Sequence, residues 1–315
     1  LNTLSDGKAD GESNMNRLVL AWLTFFSAVA GAGSISDDAV NGPLLSAAHI
    51  ERLSRFLASF STIVPPVVER GRWGKHGALP TIALKFPHPH SGRAVYADID
   101  ARDGTVYFFM SAAPYDEKSD HNEPMEKFLG ARDAFEITVP LLRHLGLSTE
   151  MIEYQVVPDP GMPSNRAQGC WLIRRELKLD GIPCDKAWIE VYVRVSTKEI
   201  EVVSYWPPLP PRPIESRITE QEARSRVSEW LKTHWYFSTY ARANVDEKQD
   251  ITEMLVIPPE YKEARDIPEE PYLSSRCWAV PIRFCELGYE IPEERVPKAR
   301  IPVEIDTGRI LVTIP

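Results

Sequence analysis

The 315-residue chain lacks the short motifs that mark many catalytic and nucleotide-binding sites. It has no GxSxG turn, no P-loop, no GxGxxG fingerprint and no HExxH zinc motif. It also lacks a run of basic residues, and 36 Lys and Arg against 45 Asp and Glu give a net charge of −9. Because nucleic-acid binders concentrate positive charge on one face, we expect no nucleic-acid partner.

A long hydrophobic run is also missing. The most apolar segment, residues 18–30, is short of the roughly 20 residues that a membrane-spanning helix needs. It follows Arg17 and precedes the small residues 31–34, which is the layout of a secretory signal peptide. We therefore predict a signal peptide at residues 15–32, no stable transmembrane span after cleavage, and a secreted, periplasmic or cell-envelope protein. An uncleaved anchor or a buried helix is the alternative.

Glycine is scarce beside proline, with 17 glycines against 27 prolines, which favours stiff connections over flexible ones. The densest proline segment, residues 207–213, is predicted to be a linker between two units. Its PxxP spacing also fits a ligand of SH3-like grooves, an alternative that an exported chain makes less attractive.

Cysteine is rare, and the four residues are Cys170, Cys184, Cys277 and Cys285. Their spacing lacks the CxxC pairs of zinc sites, so we expect no metal. An even number in an exported chain permits disulfides, in three pairings that the sequence leaves open. We expect the cysteines to be structural.

Three stretches have the pattern of strand, tight turn and strand: residues 96–110, 191–205 and the C-terminal 303–315. A helix pattern precedes each of them, at residues 44–63, at 125–145, where Pro140 should kink or break the helix, and from Thr219, with Glu222 completing a capping box. We predict an α+β protein of three repeats, each a helix packed on a small antiparallel sheet. The units span residues 42–115, 123–206 and 214–315.

The second and third units share a Cys-Trp pair at the start of a strand, and Trp171 and Trp278 are predicted to be buried equivalents. Their first-unit counterpart, residues 79–92, has no tryptophan.

Carboxylates near the turns raise the question of a metal site. Asp98, Asp100 and Asp103 precede Gly104 in a spacing that fails the EF-hand register, which needs glycine at position 6 and glutamate at position 12. Glu304 and Asp306 precede Gly308 in the same way. We expect hairpin turns in which both glycines have positive φ, with neither metal nor catalytic residues.

One surface is a candidate for binding. Trp188, Tyr192 and Arg194 alternate along a strand and should project from its outer face, beside Arg174. Aromatic residues and arginine are enriched in protein interfaces. Packing between repeats would bury the same residues and is the alternative.

The residues Asp100-Ala-Arg-Asp-Gly104-Thr-Val, Cys277-Trp278 and Glu304-Ile-Asp-Thr-Gly308 resemble PepSY domains. The pattern departs at Asp103 and Glu304, and the middle unit has Val195 and Glu199 at the landmarks. The resemblance implies cystatin-like or PepSY-like α+β units. It also implies a non-catalytic module that binds or inhibits proteins, with a protease or envelope protein as partner and no cofactor.

We therefore expect an exported, non-catalytic binding or regulatory protein. The alternative is an envelope hydrolase or small-ligand receptor whose site lies between repeats.

Overall fold

The computed structural model describes residues 42–65, 70–76, 79–88, 94–111, 125–159, 169–234, 242–257, 272–285 and 298–311. The predicted signal peptide lies outside these residues. Within them, none of the helices is both long enough and apolar enough to cross a membrane.

Three α-helices form where the helix patterns lie: α1 (Ala47–Ala58), α2 (Ala131–His144) and α3 (Glu220–Thr233). The capping box predicted for α3 is confirmed, because the Thr219 side chain accepts the Glu222 amide and the Glu222 carboxylate accepts the Thr219 amide. Helix α2 continues past Pro140 to His144, so the proline does not end the helix, which was one of the two predicted effects.

The strands are β1 (Arg72–His76), β2 (Leu79–Pro87), β3 (Ala94–Asp100), β4 (Val106–Ser111), β5 (Gln155–Pro158), β6 (Cys170–Leu179), β7 (Ile182–Arg194), β8 (Glu199–Trp206), β9 (Arg242–Val245), β10 (Thr252–Val256), β11 (Ser275–Cys285) and β12 (Lys298–Glu304). They form one 12-stranded sheet in the order β1-β2-β3-β4-β8-β7-β10-β11-β12, with β5 and β6 beside β7 and β9 beside β11.

The expectation of a separate small sheet in each unit is therefore corrected, since the protein is α+β with one large sheet and few helices. Two pairings join the predicted units. Strand β4 pairs antiparallel with β8, where Phe108 faces Ser204, and β7 pairs parallel with β10, where Cys184 faces Leu255. Joining the units in this way satisfies backbone groups that small sheets would leave open at their edges.

Helices α1 and α2 cover one face of the sheet. In β7, Ile189, Val191 and Val193 point into this core and are fully buried, which confirms the predicted alternation. Helix α3 covers a second core, formed with β11 and β12 around Trp278, Val280 and similar residues.

The two tryptophans hold their helices in the same way. The Trp171 indole donates to the carbonyl of Leu129 at 2.9 Å, and the Trp278 indole donates to that of Ile218 at 3.0 Å. Leu129 and Ile218 immediately precede the first capping residue of α2 and of α3. The predicted burial of both tryptophans is confirmed, since Trp171 is 4% exposed and Trp278 is 7% exposed.

The proline-rich segment packs against residues 272–275. Leu209 is buried with Tyr272, and Pro211 forms a parallel bridge with Ser274. The Ser274 amide donates to the carbonyl of Pro210 at 2.8 Å.

Candidate functional site

The three hairpin turns share one backbone arrangement. The first residue of each turn is charged and buried, and its carbonyl accepts the amide of the residue four positions later: Asp100 from Gly104 at 2.9 Å, Arg194 from Lys198 at 2.9 Å and Glu304 from Gly308 at 2.8 Å. The positive φ predicted for Gly104 and Gly308 is confirmed at 78° and 69°, and Lys198 has 56°.

The buried Asp100 carboxylate holds its own turn. It accepts the amides of Arg102 at 2.7 Å and Asp103 at 3.2 Å, and the Tyr107 hydroxyl at 2.6 Å. The Arg102 guanidinium lies 3.5 Å away. Donors from the protein itself therefore surround this carboxylate.

Glu304 is satisfied by different donors. It accepts the Ser275 hydroxyl at 2.6 Å and the Thr307 hydroxyl, and the Arg309 guanidinium lies 3.4 Å away. Burial by itself raises the pKa of Glu304, but these hydrogen bonds and the arginine charge hold that pKa below its ordinary value. The carboxylate is therefore ionised at neutral pH and is bound within its own hairpin.

The middle hairpin has the opposite charge at this position. Arg194 donates to Glu201 through Nε at 2.9 Å and through Nη2 at 2.7 Å, and the Cys170 thiol lies 3.3 Å from the same carboxylate. A guanidinium cannot be a ligand of a metal cation. The shared feature of the three turns is thus a buried charge with a local partner.

The thiols are poor nucleophiles. Cys170, Cys184 and Cys277 carry free thiols, so none of the three permitted disulfide pairings is formed at these positions. Burial raises the pKa of Cys170 and of Cys277, which keeps both protonated.

The four predicted binding residues lie on the helix-free face of β6 and β7, but they do not converge. Trp188 and Arg194 are six residues apart on one strand, about 20 Å at strand spacing. The Trp188 ring lies 5.2 Å from that of Trp206, Tyr192 is buried, and Arg194 is bound to Glu201 as described. Arg174 pairs with Glu190 at 3.4 Å, and 42% of its side chain is exposed.

Arg174 also borders a surface depression of about 940 Å³ beside β6. The walls are residues 146–148, which follow α2, together with Glu153 and Gln155, and residues 174–178 of β6 form the other side. Strand β5 pairs with β6 only from Trp171 to Arg174. Among the described residues, no strand pairs with β6 on this side beyond Arg174.

The edge of β6 stays open because the chain before β5 turns away. Residues Met151–Glu153 form a short 3-10 turn, and the Tyr154 hydroxyl donates to the carbonyl of Ser148 at 2.6 Å. Arg175 bonds Glu153 at 2.5 Å and lies over the Tyr154 ring. These contacts hold the walls of the depression in place.

Sequence patterns did not identify this depression. Its most unusual neighbour is Ile152, which is 94% exposed. In the sequence, an isoleucine within the largely polar stretch STEMIEYQ, residues 148–155, was the one sign of this surface. Its exposure could not be predicted, because it depends on the 3-10 turn.

A second feature lies on the helix-free face. Asp98, on β3, is half-buried beside Phe108 and has no ion pair or hydrogen bond from the side chains that the structure describes. Burial raises the pKa of Asp98 to about 6.

No protein-family model matches the sequence, and no curated protein matches it. The chain is similar to the C-terminal domain of Bacillus megaterium YpeB, with 11% sequence identity and a TM-score of 0.32. That alignment covers 86% of this chain and 97% of the YpeB chain. A similarity at this TM-score carries no argument about function.

Proposed function

We propose that the chain is an exported, non-catalytic binding or regulatory protein, built from three PepSY-like units, that contacts a protease or envelope protein. The observation that carries this proposal is the depression beside β6, where the strand edge is open and where Glu153, the chain neighbour of the exposed Ile152, forms part of the wall. Exposed apolar groups beside concave surfaces favour protein contacts. The buried charges of the hairpins and the protonated thiols support a role that does not depend on catalysis.

The proposal is tested by site-specific crosslinking in the native host. Ile152 is replaced with the photo-reactive residue benzoylphenylalanine, and mass spectrometry identifies the adducts. The matched control carries the same residue in place of Glu229, whose side chain is 72% exposed on α3. We expect a defined protein adduct from position 152 that is missing from position 229. No adduct at either position, or the same adducts at both, contradicts the proposal.

Asp98 favours a second candidate function, an envelope hydrolase or small-ligand receptor. A carboxyl group with a pKa near 6 suits general acid catalysis, and β3 lies one strand from the β4–β8 junction between the first two predicted units. Chromogenic ester, peptide and glycoside substrates test this function at pH 5 and 7.5. Turnover that Asp98→Asn abolishes would establish it, whereas turnover that the variant retains would exclude Asp98 as its source.

A further inference from the structure

The open edge of β6 indicates how a partner binds in the depression. A strand edge presents backbone amides and carbonyls in a row, and proteins use such edges to bind extended segments. Here the open edge starts just beyond Arg174, which pairs with Gln155, the first residue of β5. An incoming segment would therefore lie in line with β5. The walls are held by the Arg175–Glu153 ion pair and by the hydrogen bond from Tyr154 to Ser148, which lowers the ordering cost of binding.

The side chains along this edge define the chemistry of the segment. Leu177 points into the core, whereas Arg174, Glu176 and Lys178 alternate with it on the helix-free side. Glu176 and Lys178 are exposed and have no ion-pair partner among the residues that the structure describes. The open part of the edge therefore presents a negative charge at Glu176 and a positive charge at Lys178, whereas Arg174 already pairs with Gln155 of β5 and with the Glu190 carboxylate.

We propose that this edge binds an extended protein segment that adds a strand to β6, with a positive side chain opposite Glu176, a negative one opposite Lys178 and apolar side chains at the alternate positions. Opposite charges directly across two strands stabilise their pairing. A segment that carries a negative, a positive and a negative side chain at alternate positions offers this pairing in both directions, so it suits a parallel or an antiparallel pairing with β6. The inference rests on the proposed function and adds the mode of binding.

The first experiment uses the synthetic peptide acetyl-Val-Glu-Val-Lys-Val-Glu-Val-amide at millimolar concentration. Its control is the charge-inverted peptide, with Lys at the Glu positions and Glu at the Lys position. Binding is followed by the NMR shifts and hydrogen exchange of the backbone amides of residues 175–178. We expect shifts and slower exchange at alternate amides of this stretch, and binding of the inverted peptide about three- to tenfold weaker.

N-methylation tests whether the contact is a strand pairing. Successive amides of an extended peptide point to opposite edges, so methylating the valine nitrogens or the Glu and Lys nitrogens blocks one edge at a time. We expect one methylated peptide to lose binding and the other to retain it. The proposal is overturned if neither methylation weakens binding, or if the unmodified peptide leaves the amides of 175–178 unchanged.

Variants of the protein complete the test. Lys178→Glu should weaken binding of the peptide about three- to tenfold. Lys232→Glu, at an exposed position of α3, should leave binding unchanged. Equal effects of the two variants would overturn the proposal. A crosslink from position 152 without strand pairing would remove only this mode of binding, whereas the missing crosslink would remove the proposed function.

Discussion

The hairpin turns and the edge of β6 differ in what their charged groups do. At the turns, Asp100, Arg194 and Glu304 are buried, and their own hairpins or the adjacent strands satisfy them. At the edge, Glu176 and Lys178 are exposed beside open backbone groups. The comparison indicates that the buried charges are needed for folding and that the exposed charges are available to a partner. It also separates two kinds of substitution, those that lower stability and those that lower binding.

The largest effect should follow loss of a tryptophan that joins strand to helix. Trp278→Ala removes a buried side chain and its hydrogen bond to Ile218, so it should destabilise the fold by about 3 to 5 kcal/mol. The matched control is Trp73→Ala, at a side chain that is 55% exposed, which should have a much smaller effect. Urea denaturation of both variants measures the difference. Equal losses of stability would show that the strand-to-helix contact of Trp278 is unimportant.

The next largest effect should come from the middle hairpin. Arg194→Leu leaves the Glu201 carboxylate largely buried without its partner, which should cost about 3 kcal/mol. The double variant Arg194→Leu with Glu201→Leu should recover most of that loss, since no unpaired charge remains. The free energy of unfolding in a double-mutant cycle provides the measurement. A double variant less stable than Arg194→Leu would contradict this account, because the loss would then not come from an unpaired Glu201 carboxylate.

A moderate effect is expected at the turn residues with positive φ. Gly308→Val should cost about 1 to 3 kcal/mol, because a β-branched residue resists the φ of 69°. The Cβ would also lie 2.3 Å from the Arg226 guanidinium carbon, which must move. Lys198→Gly is the opposite change at the equivalent turn and should stabilise by up to about 1 kcal/mol. Thermal melting compares the two, and a destabilising Lys198→Gly would contradict this account.

Asp98 should behave as a charge that the fold does not satisfy. Its pKa is raised from 3.8 to about 6, so the folded state binds the proton more tightly than the unfolded state. Its favourable contribution is complete below pH 3.8 and is lost as the pH rises through about 6. Asp98→Asn should therefore stabilise the protein by up to about 3 kcal/mol at pH 7.5 and by little at pH 3.8. Urea denaturation at both pH values tests this, and a gain that does not depend on pH would contradict it.

Local patterns were sufficient to predict the three helices and the longer strands, but not the short strands β1, β5, β9 and β10. Apolar periodicity located the helices, the capping box located the start of α3, and the turn glycines Gly104 and Gly308 have the predicted φ. These features depend on neighbours within a few residues. The single large sheet was not predicted, because the β4–β8 and β7–β10 pairings join residues far apart in the chain.

The candidate site was harder to predict for the same reason. Alternation placed Trp188, Tyr192 and Arg194 on one face correctly, but it could not show that Glu201 binds Arg194. The depression depends on β5 beginning only at Gln155 and on the turn at Met151–Glu153 that precedes it. Both are set by packing around Tyr154, which no sequence period encodes.

The central claim is that the buried charges of the hairpins stabilise the fold and that the exposed charges of β6 bind a partner. It is tested most directly by measuring two quantities on two variants, Glu304→Gln and Lys178→Glu. The quantities are the free energy of unfolding and the dissociation constant of the Val-Glu-Val-Lys-Val-Glu-Val peptide. We expect Glu304→Gln to lose about 1 to 3 kcal/mol of stability and to bind the peptide as the parent does. Lys178→Glu should keep its stability within about 0.5 kcal/mol and bind the peptide about three- to tenfold more weakly. If Lys178→Glu destabilises the fold as much as Glu304→Gln does, or if the two variants bind the peptide equally, the account is contradicted.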